Sequence, residues 1–487
     1  MVMVIRFSWL RVLVLLFCLG IAVGCTSHRR YAYEGIQEEY AGSICKLPAT
    51  GDQEKAGKPV CRIDEAISLK DAVRYALANN PDNNIAVARI KKAEAMLQQT
   101  DALFYPYLGF YTEYSRGDSP SSSLFKTIDQ RMLAPNTDFN NPGVYKNFET
   151  GIQGRLNLFN SGRDVLQRGI AGKGLEAQEL DRKGIENALV ASVIRSYYNY
   201  LAAEDYIVIA NKSVETVSEQ LRIMNIRFVE GGALKSDILS LKVRLAQAQE
   251  DLVKSRNQLK IARAAIANVM GISADKDIIL TRETTINYDV PKDFSGCIVQ
   301  AVAKRPELKK IRKHLEQSRM ALDMAAAGYL PRIDLQAKYY MDDPDMDYDR
   351  DRENWMAAII LNWDVFTGFS TSSEKGKARA ELEELLAADR KALLDIKLDA
   401  KTAWLELEAA EARLEVARSS VEMAEESLQL VKKQFDGGSA TVTRYLEAEL
   451  ARNTAHTRST AAFYDRETAL ANVGRAIGFF VDGMNVE

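Results

Sequence analysis

The chain has 487 residues, 47% hydrophobic and 27% charged, with 64 basic against 67 acidic side chains and a formal charge of −3. Basic residues are interleaved with acidic ones, so a nucleic-acid-binding surface has little support. Beyond the N-terminus no stretch supplies the roughly eighteen uninterrupted apolar residues of a membrane helix, which excludes a polytopic helical membrane protein and leaves strands for any membrane span.

Residues 1–24 read as an export signal, with Arg6 and Arg11 flanking the start of the apolar run "VLVLLFCLGIAV". The run ends in "AVGC", which resembles a lipobox. That resemblance implies cleavage before Cys25 and acylation of its thiol and new amino group. Thr26 stands where an inner-membrane retention signal has Asp, which implies sorting to the outer membrane. An ordinary cleavage site beside an incidental cysteine is the alternative. Residues 25–67 are expected as an extended N-terminal segment. Within it Cys45 and Cys61 bracket the turn-rich "KLPATGDQEKAGKPV", and an oxidising compartment allows either a disulfide or two free thiols. His28, His314 and His456 lie far apart, so the sequence offers no metal site. It also lacks a nucleotide-binding loop and any set of catalytic residues at workable spacing, and no cofactor is expected.

From residue 68 the chain repeats itself. "AVRYALANNP" at 72–81 matches "CIVQAVAKRP" at 297–306, and Tyr105-Pro106 matches Leu330-Pro331. Phe159, Tyr197, Phe228 and Gly271 then match Phe366, Trp404, Phe435 and Gly478. Residues 68–280 and 281–487 thus form two structural repeats, each a short helix, a helix, two strands, a very long helix and a helix. The first carries about 18 extra residues in one loop, between 117 and 146.

Strands are expected at about 105–116 and 147–159, and again at about 332–342 and 354–366. Phe148, Thr150, Ile152, Leu156 and Leu158 alternate with Asn147, Glu149, Gln153, Arg155 and Asn157. Ile333, Leu335, Ala337, Tyr339 and Met341 alternate with Arg332, Asp334, Gln336, Lys338 and Tyr340. Trp355, Ala357, Ile359, Leu361, Trp363 and Val365 oppose Asn354, Asn362 and Asp364. Residues 107–115 carry the pattern most weakly, through Leu108, Phe110 and Tyr114. Period-two alternation suits a sheet on a soluble core as well as a barrel wall. Lengths near those of bilayer-crossing strands, aromatic residues toward the strand ends and polar connecting loops favour the wall. Four strands cannot close a barrel, and each unpaired backbone group in hydrocarbon costs several kcal/mol. Copies of the chain must therefore associate.

Long helices follow the strands, at about 162–228 and 369–435. Each runs about 67 residues without proline, enough for roughly 100 Å. Leu393, Ile396, Ala400, Ala403, Leu407, Ala410, Leu414, Ala417, Val421, Ala424, Leu428, Val431 and Phe435 step by three and four, a heptad pattern that implies left-handed coiled-coil packing. Return helices are expected at about 235–270 and 441–477, and the first carries the same stepping, from Ile238 through Leu241 and Leu245 to Ala248. A coiled-coil scaffold without a lumen is the simpler alternative, and the paired strands count against it.

The duplicated layout, the strand approaches "ALFYPYLGF" and "AGYLPRIDL", the strand exits "LNLFNSGR" and "LNWDVFTGF" and the hairpin turns "RFVEGGALKSDIL" and "KQFDGGSATVTRYLEA" together resemble the TolC-like outer-membrane efflux proteins. The resemblance spans nearly the whole mature chain. It implies a mainly α fold with membrane β-strands, in which a homotrimer joins three sets of four strands into a twelve-stranded barrel continued by a helical tunnel. It further implies a mixed belt partway along, drawn from the short helices near 68–79 and 293–303, the N-terminal segment and "GISADKDIILTRET". The implied partners are a periplasmic adaptor, an inner-membrane transporter and outer-membrane lipid. The hairpin turns, with Gly231, Gly232, Gly437 and Gly438, would form the periplasmic entrance and contact the adaptor. Asp237 and Glu447 would ring that entrance, and Arg444 stands where many relatives have Asp. Pairing of Arg444 with Asp237 or Glu447 between hairpins would hold the tip shut. Small-molecule efflux is the expected role; polypeptide secretion through the same duct and a periplasmic adaptor lipoprotein are the alternatives.

Overall fold

The computed structural model of the chain describes residues 32–44, 66–282, 291, 293–347 and 350–482. Cys25, Cys45 and Cys61 lie outside the described residues. Helix α1 (Tyr33–Ile44) occupies part of the segment expected to be extended. Its sequence "YEGIQEEYAGSI" contains no proline to interrupt a helix.

Helices α2 (Leu69–Asn79) and α3 (Pro81–Asp101) open the first repeat. Ser68 caps α2 by accepting from the Asp71 backbone N–H, Asn80 does the same for α3 from Asp82, and Pro81 takes the first helical turn, where its missing N–H costs nothing. Strand β1 (Tyr107–Gly117), helix α4 (Pro120–Asp129), strand β2 (Tyr145–Phe159), helix α5 (Arg163–Val229) and helix α6 (Lys235–Val269) complete it. The second repeat runs through α7 (Phe294–Lys304), α8 (Pro306–Ala326), β3 (Arg332–Asp343), β4 (Glu353–Asn362), α9 (Ser370–Asp436) and α10 (Val442–Ala476). Both α5 and α9 are 67 residues long. Two findings depart from the sequence reading of this region. The loop at 117–146 contains α4, and β4 ends at Asn362 rather than near 366. Asn362 faces Arg332, the first residue after Pro331; the partner strand starts there, so Trp363 and Val365 have no ladder to join.

The four strands form one antiparallel sheet in the order β1-β2-β3-β4. Its register places Leu108, Phe110 and Tyr114 beside Phe148 and Ile152, then Leu335 and Tyr339, then Trp355 and Ile359, all on one face. That apolar face is the open one: Trp355 is 78% exposed and Ile359 71%. The opposite face is polar on β2 and β3 and is covered toward the loop end, where Asn147 and Asp342 are fully buried. A soluble sheet has the reverse arrangement, and an apolar exterior over a hydrated interior is what a membrane wall requires. β1 and β4 are left as unpaired edges within one chain.

Beyond the strands the chain turns into α5 and α9 through two consecutive left-handed residues, Ser161 and Gly162 in one repeat, Gly368 and Phe369 in the other. Every heptad position from Leu393 to Phe435 is buried or half-buried. α5 packs against α6 and α9 against α10 as two helical hairpins, and α3 and α8 lie against the upper parts of α5 and α9. No helix among the described residues is long and apolar enough to cross a membrane.

The largest apolar core sits midway along α5, where Tyr197, Tyr198 and Tyr200 pack with Leu69, Ile194 and Ile266. A parallel bridge of Ile67 with Leu280 wraps this level, and the Tyr197 hydroxyl lies within hydrogen-bonding distance of the carbonyls of Ile67 and Thr281. Gly271 ends α6 at φ +76°, and an added Cβ would stand 2.6 Å from the Asn79 carbonyl oxygen. Gly271→Ala is expected to destabilise the fold by about 2 to 4 kcal/mol, strain and collision combined, whereas Gly231→Ala, which meets nothing, costs about 1 kcal/mol. Thermal midpoints of the two purified variants check the difference.

Candidate functional site: the hairpin tips and the lumen face

The two hairpins turn at Gly231 and Gly438, at φ +81° and +76°, closing the C-termini of α5 and α9. Gly232 and Gly437 do not share that conformation; Gly437 sits at φ −82°, which any residue adopts. Asp237 is occupied in capping, its carboxylate accepting from the Leu234 backbone N–H at 3.3 Å at the start of α6. Arg444 and Glu447 are exposed on the first turns of α10. Among the described residues Arg444 has no ion-pair partner within its own chain, so the structure does not bring Arg444, Asp237 and Glu447 together. The pairing of Arg444 with a carboxylate remains a proposal about contacts between chains.

Just behind the turns an apolar layer joins the hairpins: Val217 and Met224 of α5, Ile238 and Leu241 of α6, Val431 and Phe435 of α9, Val442 and Tyr445 of α10. Phe435 and Tyr445 stack with centroids 5.3 Å apart. Burial raises the Tyr445 phenol to about 12.

About one helical turn further from the tip lies a polar cluster that sequence reasoning missed. Glu449 is 1% exposed and accepts from Arg244 Nη2 at 3.0 Å and Nε at 3.2 Å, and from Ser213 Oγ at 2.9 Å. Asn453 donates to both Glu449 and Ser213. The cluster ties α10 of the second hairpin to α5 and α6 of the first. A signal for it was available: Glu449 continues the inward stepping Val442, Tyr445, where a carboxylate must be paired.

A second ionic knot fixes the helical hairpins at mid-height. Asp399 of α9 receives Arg305 Nη1 at 2.7 Å and Arg475 Nη2 at 2.8 Å. Burial alone would raise its pKa, but the hydrogen bonds from Arg475 and Arg305 outweigh it and hold the carboxylate below its ordinary value. A depressed carboxylate stabilises the fold above the unfolded-state pKa near 4, and that contribution fades as pH falls through the lower folded value. Wild-type thermal stability is therefore expected to drop below about pH 4 more steeply than that of Asp399→Asn. The variant itself should lose about 1 to 3 kcal/mol at neutral pH.

At the other end the sheet's polar face carries Glu149 and Asp342 on neighbouring strands, with Lys338 and the Tyr111 hydroxyl on Glu149 and Asn147 on Asp342. The strands are prolonged by α5 and α9, each 67 residues long. No group of residues suited to hold a metal ion occurs among the described residues.

The sequence profile of the outer membrane efflux protein family matches residues 72–272 and 297–479, both repeats. The chain belongs to that family. Among its relatives is the "Pyoverdine export outer membrane protein OpmQ" of Pseudomonas aeruginosa, 22% identical over 385 residues, covering 79% of each chain. Another is the "Alkaline protease secretion protein AprF" of the same species, 24% identical over 326 residues, 66% of this chain and 65% of that one. The fold is shared with the CmeC outer membrane channel of Campylobacter jejuni, at TM-score 0.74 and 17% identity over 84% of this chain and 85% of that one. As a member of the outer membrane efflux protein family the chain is an outer-membrane channel protein. Family membership accounts for the inverted sheet: the apolar face is turned to lipid and the polar face to the lumen.

Proposed function

We propose that three copies of the chain close a twelve-stranded barrel and a helical tunnel, forming the passive exit duct of a tripartite efflux system. The observation that carries this is the open four-stranded sheet with its apolar face outward. Its β1 and β4 edges need partners in lipid, and copies of the same chain supply them. Energy comes from an inner-membrane transporter, reached through a periplasmic adaptor that docks at the hairpin turns around Gly231 and Gly438. The duct itself performs no catalytic step. Acylation of Cys25 anchors the N-terminus in the outer membrane. Asp237, Arg444 and Glu447 line the entrance where the tips of three copies converge, with Arg444 paired to a neighbour's carboxylate in the resting state.

Mass determination in detergent is the direct test: a trimer that forms ion-conducting pores in planar bilayers supports the duct, and a stable monomer overturns it. Charge neutralisation of Arg444 by Arg444→Gln should raise resting single-channel conductance, and an unchanged closed state counts against the entrance pairing. Polypeptide secretion is the second reading, favoured by the similarity to AprF. Deleting the gene and measuring small-molecule tolerance beside the secreted-protein profile separates the two.

A further inference from the structure

The extra residues of the first repeat do not project beyond the end of the sheet. They fold back across its polar face as α4, a ten-residue helix started by Pro120 and too short to persist alone. Three strands hold it. Lys126 Nζ reaches Glu149 Oε2 on β2 at 2.7 Å and Asp342 Oδ1 on β3 at 2.9 Å. Gln130 Nε2 donates to the Lys146 carbonyl at 2.9 Å and to Asn147 Oδ1 at 2.8 Å, and Arg131 Nη2 to Asn354 Oδ1 of β4 at 3.1 Å. Ser123 and Gln130 are buried against the wall. Phe125 and Ile128, one turn apart on the opposite side of the helix, are exposed. They point away from the wall, into the space that the polar face encloses.

We infer that α4 is a lid inside the outer mouth of the barrel, latched to the wall by the Lys126 bridge between Glu149 and Asp342, and that it sets the size of molecule able to pass that mouth. The inference rests on the barrel reading of the proposed function. Three lids carry Phe125 and Ile128 toward the barrel axis and narrow it with apolar side chains. Among the described residues the second repeat has no α-helix at the matching place; its shorter loop between β3 and β4 holds a 3-10 turn at Arg350–Arg352. The latch chemistry fits a movable part. Charged and amide groups bind the helix to the wall, and both sides can be hydrated when they separate, whereas apolar packing would fix it.

The test places a thiol deeper in the lumen, on β2 below the latch, by Arg155→Cys. Labelling is measured on intact cells with a small maleimide and with a polyethylene-glycol maleimide of several kilodaltons, against a parent without the added cysteine. Lys126→Met and replacement of 118–143 by a short Gly-Ser turn are the two opened forms, each checked for oligomeric mass. The small reagent should label the site in all assembled forms; its failure everywhere overturns the lumen assignment and the lid with it. The large reagent should be excluded from the wild-type mouth and react about tenfold faster or more once the two charge-assisted bonds of Lys126 are lost. The loop replacement should react at least as fast, and Lys126→Arg should stay near wild type. Equal rates of large-reagent labelling in wild type and loop replacement, with the small reagent reacting in both, overturn the lid while leaving the barrel intact.

Discussion

Ile359→Arg should deplete assembled protein from the outer membrane, while Ile360→Arg, one residue along the same strand, should leave assembly near normal. Ile359 lies on the open apolar face, beside Leu335, and Ile360 on the lumen face, beside Asp334. An arginine facing lipid near the bilayer midplane costs about 2 to 4 kcal/mol. Three copies multiply that cost, while the lumen-facing arginine stays hydrated and gains a carboxylate neighbour. Quantifying the oligomer band in membrane extracts checks both. Equal loss would count against a lipid-facing Ile359, and a greater loss for Ile360→Arg would show that the sheet's faces are turned the other way.

Glu449→Ala carries the second large expected effect. It removes the acceptor for Arg244, Ser213 and Asn453 in the packed interior between the hairpins. Breaking one side of a buried ion pair costs about 3 to 5 kcal/mol, because the other charge is left without compensation. The two hairpins should then separate more readily near their tips, seen as faster proteolysis at the turns and a raised resting conductance. Replacing both partners, Arg244→Met with Glu449→Leu, should recover most of the stability. If the double variant is as weak as the single one, the cluster acts through something other than its charges.

Much of the fold was legible because its physics is periodic. The three-four stepping from Leu393 to Phe435 required a coiled-coil seam, and those positions are buried or half-buried. The alternation through Phe148 and Ile152 required a two-faced strand, and the register aligns those faces across four strands. The lid helix was not legible, since "PSSSLFKTID" is a short polar segment whose helicity depends on the wall beneath it. Composition also leaves the four turn glycines indistinguishable, and of these only Gly231 and Gly438 take the left-handed conformation that favours glycine.

The sequence by itself determined the repeat, the two-faced strands, the long helices and the need for copies to share sheet edges, because each follows from spacing along the chain. Only the tertiary structure decided where charges meet. Lys126 with Glu149 and Asp342, Glu449 with Arg244, and Asp399 with Arg305 and Arg475 are partners separated by up to hundreds of residues. Ion pairing acts over a few ångströms of space and leaves no period in the chain, so no reading of order alone could have matched them.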